Sequence, residues 1–190
     1  MNGAEAVHEA TLGGTLVDYL SGEARQRTTY EDLRQALARF LVEERHYPKD
    51  LLASRYSVRY EVNGDKYERE ADLGVSSFSG KLLLLLLFCP GQVHTYAREA
   101  VSMGRLALPD PCPLVVVTDM RDAELLSART AEVLARGMSV LPGPDVLEKL
   151  AGENLPSRLT EEQREKEGRI LHAYTGLLKT CCSAVCRLPE

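Results

Sequence analysis

Residues 69–92 read READLGVSSFSGKLLLLLLFCPGQ, and the fold turns on how this stretch is parsed. The Ser/Gly segment at 76–80 is a turn between two strands. Leu82 to Phe88 has no polar residue at alternate positions, so both faces of that strand must be covered. Such a strand sits in the middle of a sheet, with helices above and below. It is far shorter than the ~20 apolar residues that a membrane helix requires. The strand before the turn is half apolar and carries one embedded acid, Asp72.

Upstream, Tyr56, Val58, Tyr60 and Val62 alternate with Arg55, Ser57, Arg59 and Glu61, the period of a half-buried strand. Asn63-Gly64 follows, a pair in which both residues accept positive φ and close a two-residue hairpin. The return strand, Lys66 to Val75, is expected to put Tyr67, Ala71, Leu73 and Val75 on the core face, with Glu68, Glu70 and Asp72 on the other. Before this hairpin, Thr28-Thr29-Tyr30-Glu31 has capping-box spacing. Leu33, Leu37, Phe40 and Leu41 then share one helical face, and Pro48 ends the helix. Residues 1–27 read as a loosely ordered tail with a short packing segment, Leu16 to Leu20.

Downstream, Pro90-Gly91 breaks the leucine strand and a helix runs to about Leu106. Its stripe of Val93, Ala97, Ala100, Val101 and Gly104 is small enough for close approach to a sheet. Leu114 to Asp119 is another buried strand. Ala123 to Arg136 reads as a hairpin, although its Ala/Glu/Leu content also suits a helix. A short helix spans Asp145 to Leu150, and the last helix starts at a second capping box, Thr160 to Gln163, and continues to about Cys182. A stripe of Ile170, Tyr174, Leu177 and Leu178 is expected to dock it. The resulting order is helix, three-strand meander, helix, parallel strand, with an added β-hairpin and a C-terminal helix: an α/β fold with helices on both faces of a mixed central sheet. The expected division is a tail at 1–27, a core domain at 28–141 and a helical extension at 142–190 that ends in a Cys-rich tail.

A chain of 190 residues with 44% apolar and 27% charged content builds one ordinary globular core. The net charge of −5 argues against coating nucleic acid non-specifically, because phosphate binding calls for a basic surface. The first ten residues have neither a basic segment nor an apolar one, so no signal peptide is read. Five cysteines without a secretory signal point to reduced thiols in the cytoplasm, with no membrane partner.

The run TTYEDLRQALARFLVEERHYPKD at 28–50, then READLGV, the apolar strand, the helix and PLVVVTDM resembles the N-terminal domain of type I restriction enzyme R subunits. The resemblance covers roughly residues 28–137 and implies the PD-(D/E)xK restriction-endonuclease-like fold in a protein of bacterial type. It matches Glu31 to the family's acid on the first helix and Asp72 to its metal-binding Asp. The family's Glu-x-Lys should fall near Leu86, Leu87 and Phe88. There the Glu would ligate Mg²⁺ through oxygen and the Lys would orient or polarise the attacking water. Leu and Phe can do neither, and no lysine in the chain follows an acid by two residues. Asp32-Leu33-Arg34 and Asp119-Met120-Arg121 offer Arg in that place, but Arg stays protonated and is a poor stand-in for a water-activating Lys. Gln92 to Tyr96 echoes the family's Gln-x-x-x-Tyr helix motif.

Several candidate sites follow. The resemblance implies Mg²⁺ at Asp72, with Glu70 helping from the same face; the plain alternative is an ion pair of Asp72 with Arg69 or Arg59. Glu31 is explained equally by the capping box. Arg34, Arg55 and Arg59 belong to a run of basic residues that would line a DNA groove, but interleaved acids make a solvated helix face the simpler reading. Cys181, Cys182 and Cys186 could hold Zn²⁺ or an iron–sulfur cluster, with a fourth ligand from Cys89, Cys112, His172 or a partner. The plain alternative is that Cys181 and Cys182 continue the apolar stripe of the last helix. His94 reads as a structural imidazole. The reading is a catalytically degenerate nuclease fold serving as a binding or assembly module, with DNA or another protein as partner. The competing readings are an active Mg²⁺-dependent nuclease with relocated ligands Asp72, Glu70 and Glu31, and a thiol-metal or redox protein.

Overall fold

A computed structural model describes residues 11–89 and 91–185 of the chain. Residues 11–27, expected as tail and packing segment, instead form with Thr28 a hairpin of β1 (Thr11–Val17) and β2 (Ala24–Thr28). Gly13 and Gly14 take φ of 76° and 75° where the register shifts between Thr11 and Thr15. The Gly-Gly pair is therefore a bulge, a conformation that glycine adopts without penalty. The loop closes on Asp18, whose buried carboxylate accepts the backbone N–H groups of Leu20 and Ser21 at 3.0 and 2.8 Å.

The first helix, α1 (Thr29–Arg39), starts as the capping box requires, with Glu31 N donating to Thr28 Oγ1 at 3.0 Å. It continues as a wider π turn, Phe40–Glu44, before the chain leaves toward Pro48. Two long strands follow, β3 (Leu52–Val62) and β4 (Asp65–Ser76), and Asn63 and Gly64 between them take φ of 52° and 86°, the positive values a primed turn needs. The leucine run is β5 (Leu82–Phe88). A short 3₁₀ turn leads into α2 (Ala97–Leu106), and β6 (Leu114–Thr118) returns parallel to β5. Then come the hairpin β7 (Ala123–Ser127) and β8 (Val133–Arg136), and the helices α3 (Pro144–Glu153) and α4 (Glu161–Val185).

The main sheet runs β3-β4-β5-β6-β7-β8, with only the β5–β6 pair parallel. The meander, crossover and added hairpin are therefore as read from the pattern. At 123–136, pairing with β6 overrides the helical content. Leu85 and Leu87 enter the core beneath α2 and α4, while Leu84 and Leu86 enter the core beneath α1 and α3. Two covers explain why the strand never alternates.

Of the stripe expected to dock α4, Ile170 and Tyr174 are half-buried, and the side chains of Leu177 and Leu178 lie outside the described residues. Within its described part the buried face is Glu167, Gly168 and Leu171. Glu167 can be buried because Arg98 and Arg105 of α2 bind it at 2.7 and 2.8 Å and Ser102 donates to it at 2.8 Å. Gly168 lies against β3 so closely that a Cβ there would stand 2.7 Å from the Glu61 carbonyl oxygen. Among the described residues no helix is long and apolar enough to cross a membrane.

Candidate functional site

The site forms where three elements meet: the first two turns of α1, the middle of the β3–β4 ladder, and the end of β5. One irregularity in the ladder organises it. Ala71 packs in the core on the α2 side, whereas Leu73 and Val75 pack on the α1 side, so the expected single core face for these residues is not what forms. The alternation resets at Asp72. Across the ladder Arg55, between the pairs Ser54–Leu73 and Tyr56–Ala71, takes φ of 55°, the left-handed region that a long side chain rarely occupies. Such a conformation costs about 1–3 kcal/mol and persists only where surrounding contacts enforce it. Those contacts are ionic. Arg55 donates to Glu31 at 2.8 Å and reaches Glu70 at 3.4 Å.

Arg34 holds the centre. It lies one turn after Glu31 on α1, so both side chains leave the helix on the same face. Its Nε and Nη2 both donate to Asp72 Oδ1, at 3.1 and 2.9 Å, and its Nη1 donates to Glu31 Oε2. The second Asp72 oxygen, Oδ2, accepts the backbone N–H of Phe88 at 2.7 Å. Gln35 donates to Glu31 Oε1 at 2.8 Å and to Asp18 Oδ2 at 3.0 Å, which ties the N-terminal hairpin into the same network. The side chains of Glu31, Arg34 and Asp72 are 0%, 8% and 15% exposed, so this is an interior network. Burial alone would raise the Glu31 pKa; bonds from Arg55 and Gln35 and the charges of Arg34 and Arg55 outweigh it and hold the carboxyl below its ordinary value.

The expected pairings of Asp72 are corrected by this arrangement. Arg69 binds the buried Glu99 of α2 at 2.8 Å, and Arg59 lies 3.9 Å from Glu68. The Glu31 carboxylate also accepts bonds from Arg34, Arg55 and Gln35, more than a capping box alone asks of it. On β5, Leu86 and Phe88 are the residues on the Asp72 face; Leu86 is fully buried and Phe88 packs edge-on against Tyr30 with ring centroids 5.3 Å apart. Leu87 points into the opposite core. The third strand thus brings hydrocarbon and one backbone N–H to the carboxylate.

Mg²⁺ would need several oxygen ligands in near-octahedral array. Here both oxygens of Asp72 and both of Glu31 already accept hydrogen bonds from protein donors, and a guanidinium stands between the two acids. Glu70, half exposed, pairs with Arg55. The donor set does not fit a divalent ion. Among the described residues no group of three or more His, Cys, Asp or Glu is disposed to hold a metal ion.

The remaining candidates separate. Of the three arginines weighed for nucleic acid, Arg34 is internal, Arg55 is 32% exposed and engaged, and Arg59 alone is freely exposed, at 81%. Asp32, the acid of the displaced Asp-x-Arg copy, forms a bidentate pair with Arg27 on the surface. Asp119, in the second copy, accepts the N–H groups of Arg121 and Asp122 in its own loop. With Asp122, Glu124 and the exposed His94 it lines a cleft of about 500 Å³ beyond the ends of β5 and β6. Cys186 and the side chains of Cys181 and Cys182 lie outside the described residues. Their proposed helpers are occupied elsewhere: Cys89 and Cys112 are buried in the core, and His172 packs on Tyr67 at 4.4 Å. Burial, with the charges of Asp119, Glu99 and Asp72, pushes the Cys89 thiol up to about 12; burial raises that of Cys112 as well.

Arg34, Gln35 and Asp18 are the residues that sequence reasoning did not bring to the site as a group. The available signal was the three-residue spacing from Glu31 to Arg34, which was absorbed into a run of alternating charge.

A profile of the protein family described as type I restriction enzyme R protein N terminus matches residues 29–142. Among solved structures, that of the type IIG restriction endonuclease BpuSI is similar at 15% identity and a TM-score of 0.35, over 80% of this chain and 16% of that one. The match thus spans only a small part of that protein's length. No curated protein matches it.

Proposed function

We propose that this chain, which belongs to the family of type I restriction enzyme R protein N termini, does not hydrolyse phosphodiesters and works as a binding or assembly module. One observation carries the reading: β5 offers Leu86 and Phe88 to the Asp72 face, where hydrolysis would need an oxygen ligand and an amine. The relocated-ligand alternative fares poorly, since Glu31 and Asp72 are separated by Arg34 and Glu70 is bound to Arg55. A protein partner is favoured over DNA. The net charge is −5, and two of the three candidate arginines are committed to internal carboxylates.

The test is direct. Purified protein incubated with plasmid and single-stranded DNA in Mg²⁺ or Mn²⁺ leaves both intact and does not retard them on a gel. Cleavage that Asp72→Ala abolishes would overturn the proposal. A gel shift lost in Arg59→Glu would replace the protein partner with nucleic acid.

A further inference from the structure

We infer that Arg34 is the resident cation of this site: its guanidinium permanently supplies the positive charge that the carboxylates of Glu31, fully buried, and Asp72, partly buried, require. The inference deepens the non-hydrolytic reading, but it is tested by stability and not by cleavage.

Two carboxylates on neighbouring elements cannot both stay ionised in an interior unless a cation neutralises them. Three features make Arg34 that cation. Its position is covalently fixed, because α1 presents Glu31 and Arg34 one turn apart and packs them against β4. Its planar fork spans both acids at once, with Nε and Nη2 on Asp72 and Nη1 on Glu31. A lysine ammonium is a single point of charge and could not hold two carboxylates in this bridging geometry. Finally, the two oxygens that Arg34 leaves are also taken, Asp72 Oδ2 by the Phe88 N–H and Glu31 Oε1 by Gln35, while Arg55 shares Glu31 Oε2 with Arg34. Arginine keeps its charge across the whole biological pH range. The site therefore holds its shape whatever the supply of divalent ions, and its acids are open to an external cation only when Arg34 is gone.

The experiment is thermal unfolding of the full chain, with and without millimolar Mn²⁺ at matched ionic strength. Wild type shows the same midpoint in both. Arg34→Met keeps the apolar stem and loses the charge; its midpoint falls by roughly 10 °C, as expected when one member of a buried ion pair is removed. Mn²⁺ then raises the variant's midpoint by about 4 °C, the effect of a ligand near ten times its dissociation constant. Adding Asp72→Asn to Arg34→Met recovers most of the loss and removes the Mn²⁺ response, because the charge and its counter-charge leave together. The inference is overturned if Arg34→Met is as stable as wild type, or if its midpoint ignores Mn²⁺. Should Arg34→Met fail to fold, the double variant decides: a folded double variant supports the inference and an unfolded one overturns it. Cleavage of DNA by the wild type would defeat the functional proposal while leaving this comparison of midpoints intact.

Discussion

Replacing Asp72 with alanine distinguishes a charge lock from a disused metal site. The substitution removes the acceptor of two Arg34 N–H groups, at 3.1 and 2.9 Å, and of the Phe88 N–H at 2.7 Å. Arg34 keeps Glu31 but loses half of its neutralisation, at 8% side-chain exposure. Breaking a buried ion pair by removing one partner costs about 3–5 kcal/mol. The partial exposure of Asp72 (15%) and the surviving Glu31 partner place this case at the low end, about 3 kcal/mol. With a urea slope of about 2 kcal/mol per M for a small protein, the unfolding midpoint should fall by about 1.5 M at unchanged slope. Asp72→Asn keeps an acceptor for Phe88 and should lose about half as much. Urea titrations followed by circular dichroism measure both. A cluster of acids held open for an absent metal behaves oppositely: removing one relieves repulsion and stabilises. An Asp72→Ala protein equal to or more stable than wild type would refute the charge-lock argument.

Two further outcomes follow from the same reasoning. Burial works to raise the carboxyls of Asp18, Glu31 and Glu167, but bonds from their neighbours outweigh it and hold all three below their ordinary values. The unfolded chain therefore binds more protons in acid, so their stabilisation is complete above the ordinary carboxylate range and is lost as pH falls through the folded-state values. The melting midpoint should be level from neutral pH to about 5 and drop below about 4.5, and Glu31→Gln should show a shallower acid slope; an unchanged slope would count against the Glu31 bonding. Gly168→Ala places a Cβ 2.7 Å from the Glu61 carbonyl and must push α4 off β3. It should destabilise by about 1–3 kcal/mol despite alanine's better helix propensity, and a more stable variant in denaturant titration would show that α4 does not dock there.

Much of the fold was legible because its signals are local. The unbroken leucine strand demanded two covers, Asn63-Gly64 fixed the hairpin register, and the small residues of α2 fixed its face; Gly104, for instance, would put a Cβ 2.8 Å from Val115. The N-terminal hairpin was missed since Gly13-Gly14 reads as slack chain until its pairing across a bulge is seen. The candidate site divides in the same way. What β5 lacks is visible residue by residue, so the absence of an acid and a lysine from Leu82–Phe88 needed no coordinates. What replaces it was not visible. Arg34 stands among Asp32, Arg39 and Glu43 in a pattern typical of a solvated helix, and nothing in that pattern says which arginine faces inward. Its burial depends on a reset in the β4 alternation at Asp72 and on the left-handed backbone of Arg55, both of them tertiary effects. Helix α4 repeats the lesson, since Glu167 reads as surface until Arg98 and Arg105 are found opposite it.

The central claim is that a guanidinium holds the place between Glu31 and Asp72 to the exclusion of a divalent ion. Titrating Mn²⁺ into the wild-type protein and following the free ion by electron paramagnetic resonance tests it most directly. The account predicts that the free-ion signal in the presence of protein matches that of buffer alone. A bound fraction that Asp72→Asn releases would contradict it.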